Sequence, residues 1–279
     1  MDCTKSTLDL TQVANLYAQL SGTLAGFALA AVFIVVSHLL SSAPPAGRRE
    51  EALSKAIPVL LSALLGLILT ALAYCIIAAD GKNTGRAIVE HVVAGLAFSV
   101  SGAMLIYAAV LLLESVLPHT AVDHGRRLLG QCAPLPMFAL LCNGVYEYGK
   151  VYYRTVPGWL GLLIAGLLVV LLGASVLGYI AYGRPGLDGV RLTGDATTRG
   201  IAGGGLTAVT LCVLMVSYTV SLGGSGCSVP MAGVVAVMVA GFLAAIGLSV
   251  WLFLTRPPHP VTPVPAPAPA PAPPGAPGA

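Results

Sequence analysis

Apolar residues fill seven stretches of this chain between about residue 13 and residue 254, separated by polar or Gly/Pro-rich segments. Windows of ~20 residues, the length that carries a helix across a bilayer, place spans at about 13–40, 56–79, 89–115, 128–148, 158–182, 200–222 and 229–254. Hydrocarbon has no water to satisfy an open backbone, so spans this apolar must be helices. The predicted fold is all-α: a polytopic integral membrane helical bundle of about seven transmembrane helices. Residues 1–12 form a short outer segment, 13–254 the transmembrane domain and 255–279 a Pro/Ala-rich tail expected to be disordered and cytoplasmic. The fourth span carries Gln131, Asn143 and Glu147, and Pro134 and Pro136 are expected to break its first half. Ser6-Thr7-Leu8-Asp9 reads as a capping box that opens the first helix.

Cations in the connections set the expected orientation. With seven spans, one side holds Arg48, Arg49, Lys55, Arg126, Arg127, Arg184, Arg191, Arg199 and Arg256; the other holds Lys5, Lys82, Arg86, Lys150 and Arg154. Nine against five favours the N-terminus outside and the C-terminus in the cytoplasm, whereas omitting the fourth span would level the two sides at seven each. Tyr146, Tyr148, Tyr152, Tyr153 and Trp159 gather at the outer connection between spans four and five, as an interfacial aromatic belt would.

Composition narrows the class further. Of 279 residues 57% are hydrophobic and 9% charged, with a mean hydropathy of +0.89, against about 25% charged in a soluble domain. A net charge of +3, spread over connections, gives no nucleic-acid footprint. Arg outnumbers Lys ten to four, and Ala, Gly and Pro are abundant, a usage associated with GC-rich bacterial genomes. The expected location is therefore the bacterial cytoplasmic membrane. Met1–Leu10 lacks the basic start of a signal peptide, and Cys3 has no apolar stretch before it.

Lipid gives helices no hydrophobic reason to associate, so small residues that admit close backbones are the candidates for packing. Gly22, Gly26 and Ala30 line span one, and Gly95, Ser99 and Ala103 line span three. Span seven holds two ladders, Ala232, Ala236, Ala240, Ala244 and Gly241, Ala245, Ser249, while Gly203, Gly204 and Gly205 open span six. These stripes predict a bundle centred on spans one, three and seven.

Candidate chemistry is sparse. Glu90 and His91 at the outer start of span three, with Asn143 and Glu147 from span four, form a candidate outer polar rim. His119, Asp123 and His124 share an inner loop, but their spacing is a solvated loop's before it is a metal site's. Cys3 and Cys227 are both expected outside, which makes them candidates for a disulfide. No catalytic, cofactor or metal set is expected. Gly223-Gly224-Ser225-Gly226 lacks an activating histidine in span seven, and that span lacks the lysine a retinal protein needs. The eleven prolines from Pro257 to Ala279 read as a stiff spacer.

The expected function is that of a non-enzymatic membrane protein acting through partners, as a scaffold, assembly factor or sensor subunit. Its partners are the bilayer and a membrane protein or a second copy, with no nucleic acid. The alternative is a small neutral-solute transporter or channel lined by Ser99, Ser101, Thr210 and Asn143.

Overall fold

The structure, a computed structural model, describes residues 9–41, 48–80, 85–116, 134–153, 155–182, 195–221 and 230–254. Among them are seven helices and no strand: α1 (Leu10–Ser41), α2 (Arg48–Asp80), α3 (Gly85–Val116), α4 (Pro134–Tyr153), α5 (Gly158–Tyr182), α6 (Asp195–Ser221) and α7 (Met231–Leu254). Four stretches are long and apolar enough to cross a membrane: Leu10–His38 (29 residues), Leu53–Ala79 (27), Gly85–Leu113 (29) and Thr198–Val220 (23). Shorter apolar stretches, Gly158–Ala174 and Met231–Leu243, lie within α5 and α7. The fold is an all-α bundle.

Helix ends follow local chemistry. The cap of α1 is Asp9, the last residue of the expected box and three residues after its Ser6: its Oδ1 accepts from the Gln12 amide at 3.2 Å, an N-terminal donor with no intrahelical partner. Ser6 and Thr7 lie outside the described residues. Pro134 and Pro136 do not break α4. They stand in its first turn, where a missing N–H removes no intrahelical bond, so the helix is displaced C-terminally to end at Tyr153. At ~1.5 Å per residue its 20 residues reach about 30 Å.

Hydroxyls inside the helices turn back onto their own backbone. Thr70 donates to the Gly66 carbonyl at 2.7 Å, Ser101 to Ala97 at 2.9 Å and Thr210 to Leu206 at 2.8 Å. Polar groups satisfied this way do not tie helices together, so packing rests on shape.

The hub is α3, which touches α1, α2, α4, α6 and α7; α2 joins α1, α3 and α6, while α5 packs only on α4 and α7. This differs from a centre built on the first, third and seventh helices. Gly22, Gly26 and Ala30 face outward, and a Cβ built on either glycine meets nothing within 4 Å. On α7, Ala236 and Ala240 are exposed while Gly241 abuts Leu141 of α4; the side chains of Ala244 and Ala245 lie outside the description. Ala103 is buried in the α3 face.

Two apolar cores stack along the bundle axis. One unites the start of α1 (Leu10, Ala14), the end of α2 (Ile77), the start of α3 (Ile88, Val92) and the end of α4 (Val145, Tyr148). It also takes in Leu160 near the start of α5, Val216 near the end of α6 and Val234 of α7. The ends it gathers are those that a strictly alternating chain brings to one side. The second core, at the opposite end, packs Val35, Leu60, Met104, Tyr107 and Val209 of α1, α2, α3 and α6.

Candidate functional site

A cleft opens in the first core between α1 and α4, two helices that do not touch, and α3 forms its floor. Its volume is about 190 Å³. Tyr17 comes from α1, Tyr74 from α2, His91, Gly95, Phe98 and Ser99 from α3, and Leu141, Asn143, Gly144 and Glu147 from α4. Depth explains why they meet. At ~1.5 Å per residue, Tyr17, Tyr74, His91 and Glu147 each lie about 9–11 Å from the helix end on that side, and Ser99 about 21 Å down α3. The cleft thus runs from a rim towards the middle of a long helix.

Its upper wall is aromatic. Tyr17 and Tyr74 stack with centroids 5.2 Å apart and planes at 17°. The His91 ring stands edge-on to both, at 5.4 and 5.2 Å, and Phe98 meets Tyr17 at 5.8 Å. Such offset and T-shaped arrangements let ring quadrupoles attract. Nδ1 of His91 is buried and has no hydrogen-bond partner among the described residues; the same holds for Oγ of Ser21, one turn below Tyr17 on the same face of α1. Buried polar atoms left open in an otherwise satisfied interior call for water or a ligand. At the rim, Lys150 donates to Glu147 Oε1 at 2.7 Å and lies 4.7 Å from the Tyr146 ring centroid.

Of the four rim residues, His91, Asn143 and Glu147 line this cleft and Glu90 does not. Consecutive helical residues point ~100° apart, so Glu90 turns towards α6. There it pairs with Arg86 Nε at 3.0 Å, and Arg86 also donates to the Val220 carbonyl at 3.4 Å, near the end of α6 where carbonyls lack intrahelical donors. Of the residues considered for a neutral path, Ser99 and Asn143 line the cleft, while Ser101 and Thr210 bond within their own helices.

Beyond the level of Ser99, α2 and α6 approach α3 closely. A Cβ built on Gly66 lies 2.5 Å from Ser101 Oγ, and one on Gly205 runs into Met104. Tyr146, Tyr152, Tyr153 and Trp159 are exposed around the start of α5, whereas Tyr148 is fully buried. Among the described residues no group of His, Cys, Asp and Glu is placed to hold a metal, and Cys75, Cys142 and Cys212 are free. Cys3, Cys227, His119, Asp123, His124, Gly223–Gly226 and the Pro/Ala-rich tail lie outside the described residues.

The pattern of sequence did not single out Tyr17, Tyr74 or Phe98 as lining. The common depth of Tyr17 and Tyr74 near one end of two apolar spans was the available signal, since aromatic rings with polar tips rarely sit in helix interiors without a partner; Phe98, deeper in the third span, carried none. No family model, curated protein or solved structure matches this chain.

Proposed function

We propose that this chain is a multi-pass protein of the bacterial cytoplasmic membrane, with its N-terminus outside. It holds a small ligand in the α1/α4 cleft and passes its occupancy to a partner protein, as a sensor subunit and not as an enzyme. The observation that carries the reading is the cleft itself, ring-walled and lined by His91, Asn143 and Glu147. At about 190 Å³ it is smaller than the ~300–1,000 Å³ of drug-sized ligand sites, which fits a small ligand. The described lining ends at Ser99, about 21 Å down α3, which favours binding over passage. The missing contact between α1 and α4 supplies an element that an occupant would bridge, and so a means of reporting occupancy.

The test is native mass spectrometry of protein extracted from its own membranes, comparing wild type with Gly95→Leu. A Cβ at Gly95 meets only the Tyr74 hydroxyl, at 3.6 Å, so a larger side chain there grows into the cleft. A bound small molecule present in wild type and absent from Gly95→Leu supports the reading, together with a partner recovered by cross-linked pull-down. Identical bare masses for both proteins, and no partner, refute it. The transport alternative draws on Ser99, which carries the cleft about 21 Å down α3; uptake into proteoliposomes would favour it.

A further inference from the structure

We propose that the cleft ligand is a small organic monocation, an alkyl- or arylammonium with an apolar body; this rests on the binding reading above. Three features of the lining select that chemistry.

Charge comes first. Among the described lining residues, Glu147 is the one that carries a formal charge when His91 is neutral, and none is Lys or Arg. Lys150 takes Oε1 of Glu147 from outside the lining, which leaves Oε2 able to accept from a ligand. An anion placed here would face the Glu147 carboxylate, while Lys150 beside it is solvent-exposed and already engaged by that carboxylate.

Rings come second. Tyr17, Tyr74 and Phe98 line the same space, and an aromatic ring attracts a cation that comes within ~6 Å of its face. Apolar Val13, Ile88 and Leu141 complete the wall and suit a hydrocarbon body.

Acceptors come third. Asn143 has a carbonyl oxygen to offer, and the Tyr17 hydroxyl can rotate to accept. An ammonium brings donors only, so it leaves none of these groups facing its like. The cleft also lies between helices that do not touch, open to a ligand whose apolar body lies in the hydrocarbon and whose charge stays near the rim.

The experiment uses the full-length chain in phosphatidylcholine nanodiscs and three probes of matched shape: 2-phenylethylammonium, 2-phenylethanol and phenylacetate. Binding is read by isothermal titration calorimetry. The ammonium is expected to bind about tenfold or more tightly than the alcohol, with no phenylacetate binding. Glu147→Gln should weaken the ammonium about tenfold and leave the alcohol unchanged, while Lys150→Gln, which releases Oε1, should tighten the ammonium. Thermal unfolding of each variant reports folding independently, since the Glu147–Lys150 pair lies at an exposed helix end. Equal binding of alcohol and ammonium, or an unchanged affinity in Glu147→Gln, overturns the cation assignment and leaves a ligand site standing. Failure of all three probes to bind wild type overturns the assignment for want of a cation effect. If Gly95→Leu also matches wild type in native mass spectrometry, the binding reading fails with it.

Discussion

Gly144 is where α4 lies closest to α3, and replacing it gives the sharpest test of the packing. A Cβ built there falls 2.5 Å from Cγ2 of Val92, against an ordinary carbon contact of 3.4 Å or more. Val92 is buried and β-branched, and a helical valine has essentially one rotamer, so the methyl cannot swing aside. Relief requires the two helices to part by about 1 Å, an overpacking that destabilises by ~1–3 kcal/mol. Alanine's better helix propensity returns at most ~1 kcal/mol. Gly144→Ala should therefore be destabilised by about 1–2 kcal/mol net.

Val92→Ala removes the obstructing methyl and by itself leaves a void, worth about 1–2 kcal/mol by the loss of two methyl groups. In the double variant the new methyl occupies part of that void. The pair should couple favourably by about 1–2 kcal/mol, within the range for residues in contact. Gly26→Ala, whose Cβ meets nothing within 4 Å, is the control and should match or exceed wild type. The assay is thermal unfolding in detergent followed with a thiol-reactive fluorophore, in a variant whose only cysteine is the buried Cys142. Additive losses in the double variant, or equal losses at Gly144 and Gly26, would refute the close approach of α3 and α4.

Arg86→Ala should destabilise by ~3–5 kcal/mol, because it takes the paired guanidinium away from the buried Glu90 carboxylate, and Arg86→Ala with Glu90→Gln should recover much of the loss; denaturant titration in mixed micelles checks both. In single-cysteine variants a membrane-permeant maleimide should modify Cys75 in the folded protein and Cys142 only after unfolding, and equal rates would contradict the burial. Gly95→Leu should keep the unfolding temperature within a few degrees of wild type while losing the bound small molecule; a large drop would mean that the cleft wall is packed against something rigid. A cysteine added after Ala279 should resist an impermeant label in intact cells, and rapid labelling would reverse the proposed orientation.

Hydropathy alone carried the helical class, because a backbone in hydrocarbon has only internal partners and long apolar runs leave no alternative to helices. The boundaries of α5 were legible for the same reason, and those of α4 were not. Pro134 and Pro136 interrupt a helix in its interior and are harmless in its first turn, and local sequence did not say which position they would hold.

What tertiary structure decided was which faces meet. Gly22, Gly26 and Ala30 have the spacing of a packing stripe, yet they face outward; Gly205 and Gly241 of other stripes are pressed against Met104 and Leu141, and so are Gly66, Gly144 and Gly149, isolated among larger residues, against Ser101, Val92 and Leu160. Spacing reports that a helix has a smooth face; it does not report which neighbour arrives there. The polar rim divided likewise, since Glu90 and His91 are adjacent in sequence and point towards different helices. The chain by itself determined seven apolar helices and a few polar residues at a common depth. Only the assembled bundle brought Tyr17, Tyr74, His91 and Glu147 from four helices around one space, because a cleft is made by the gap between helices and no single segment encodes that gap.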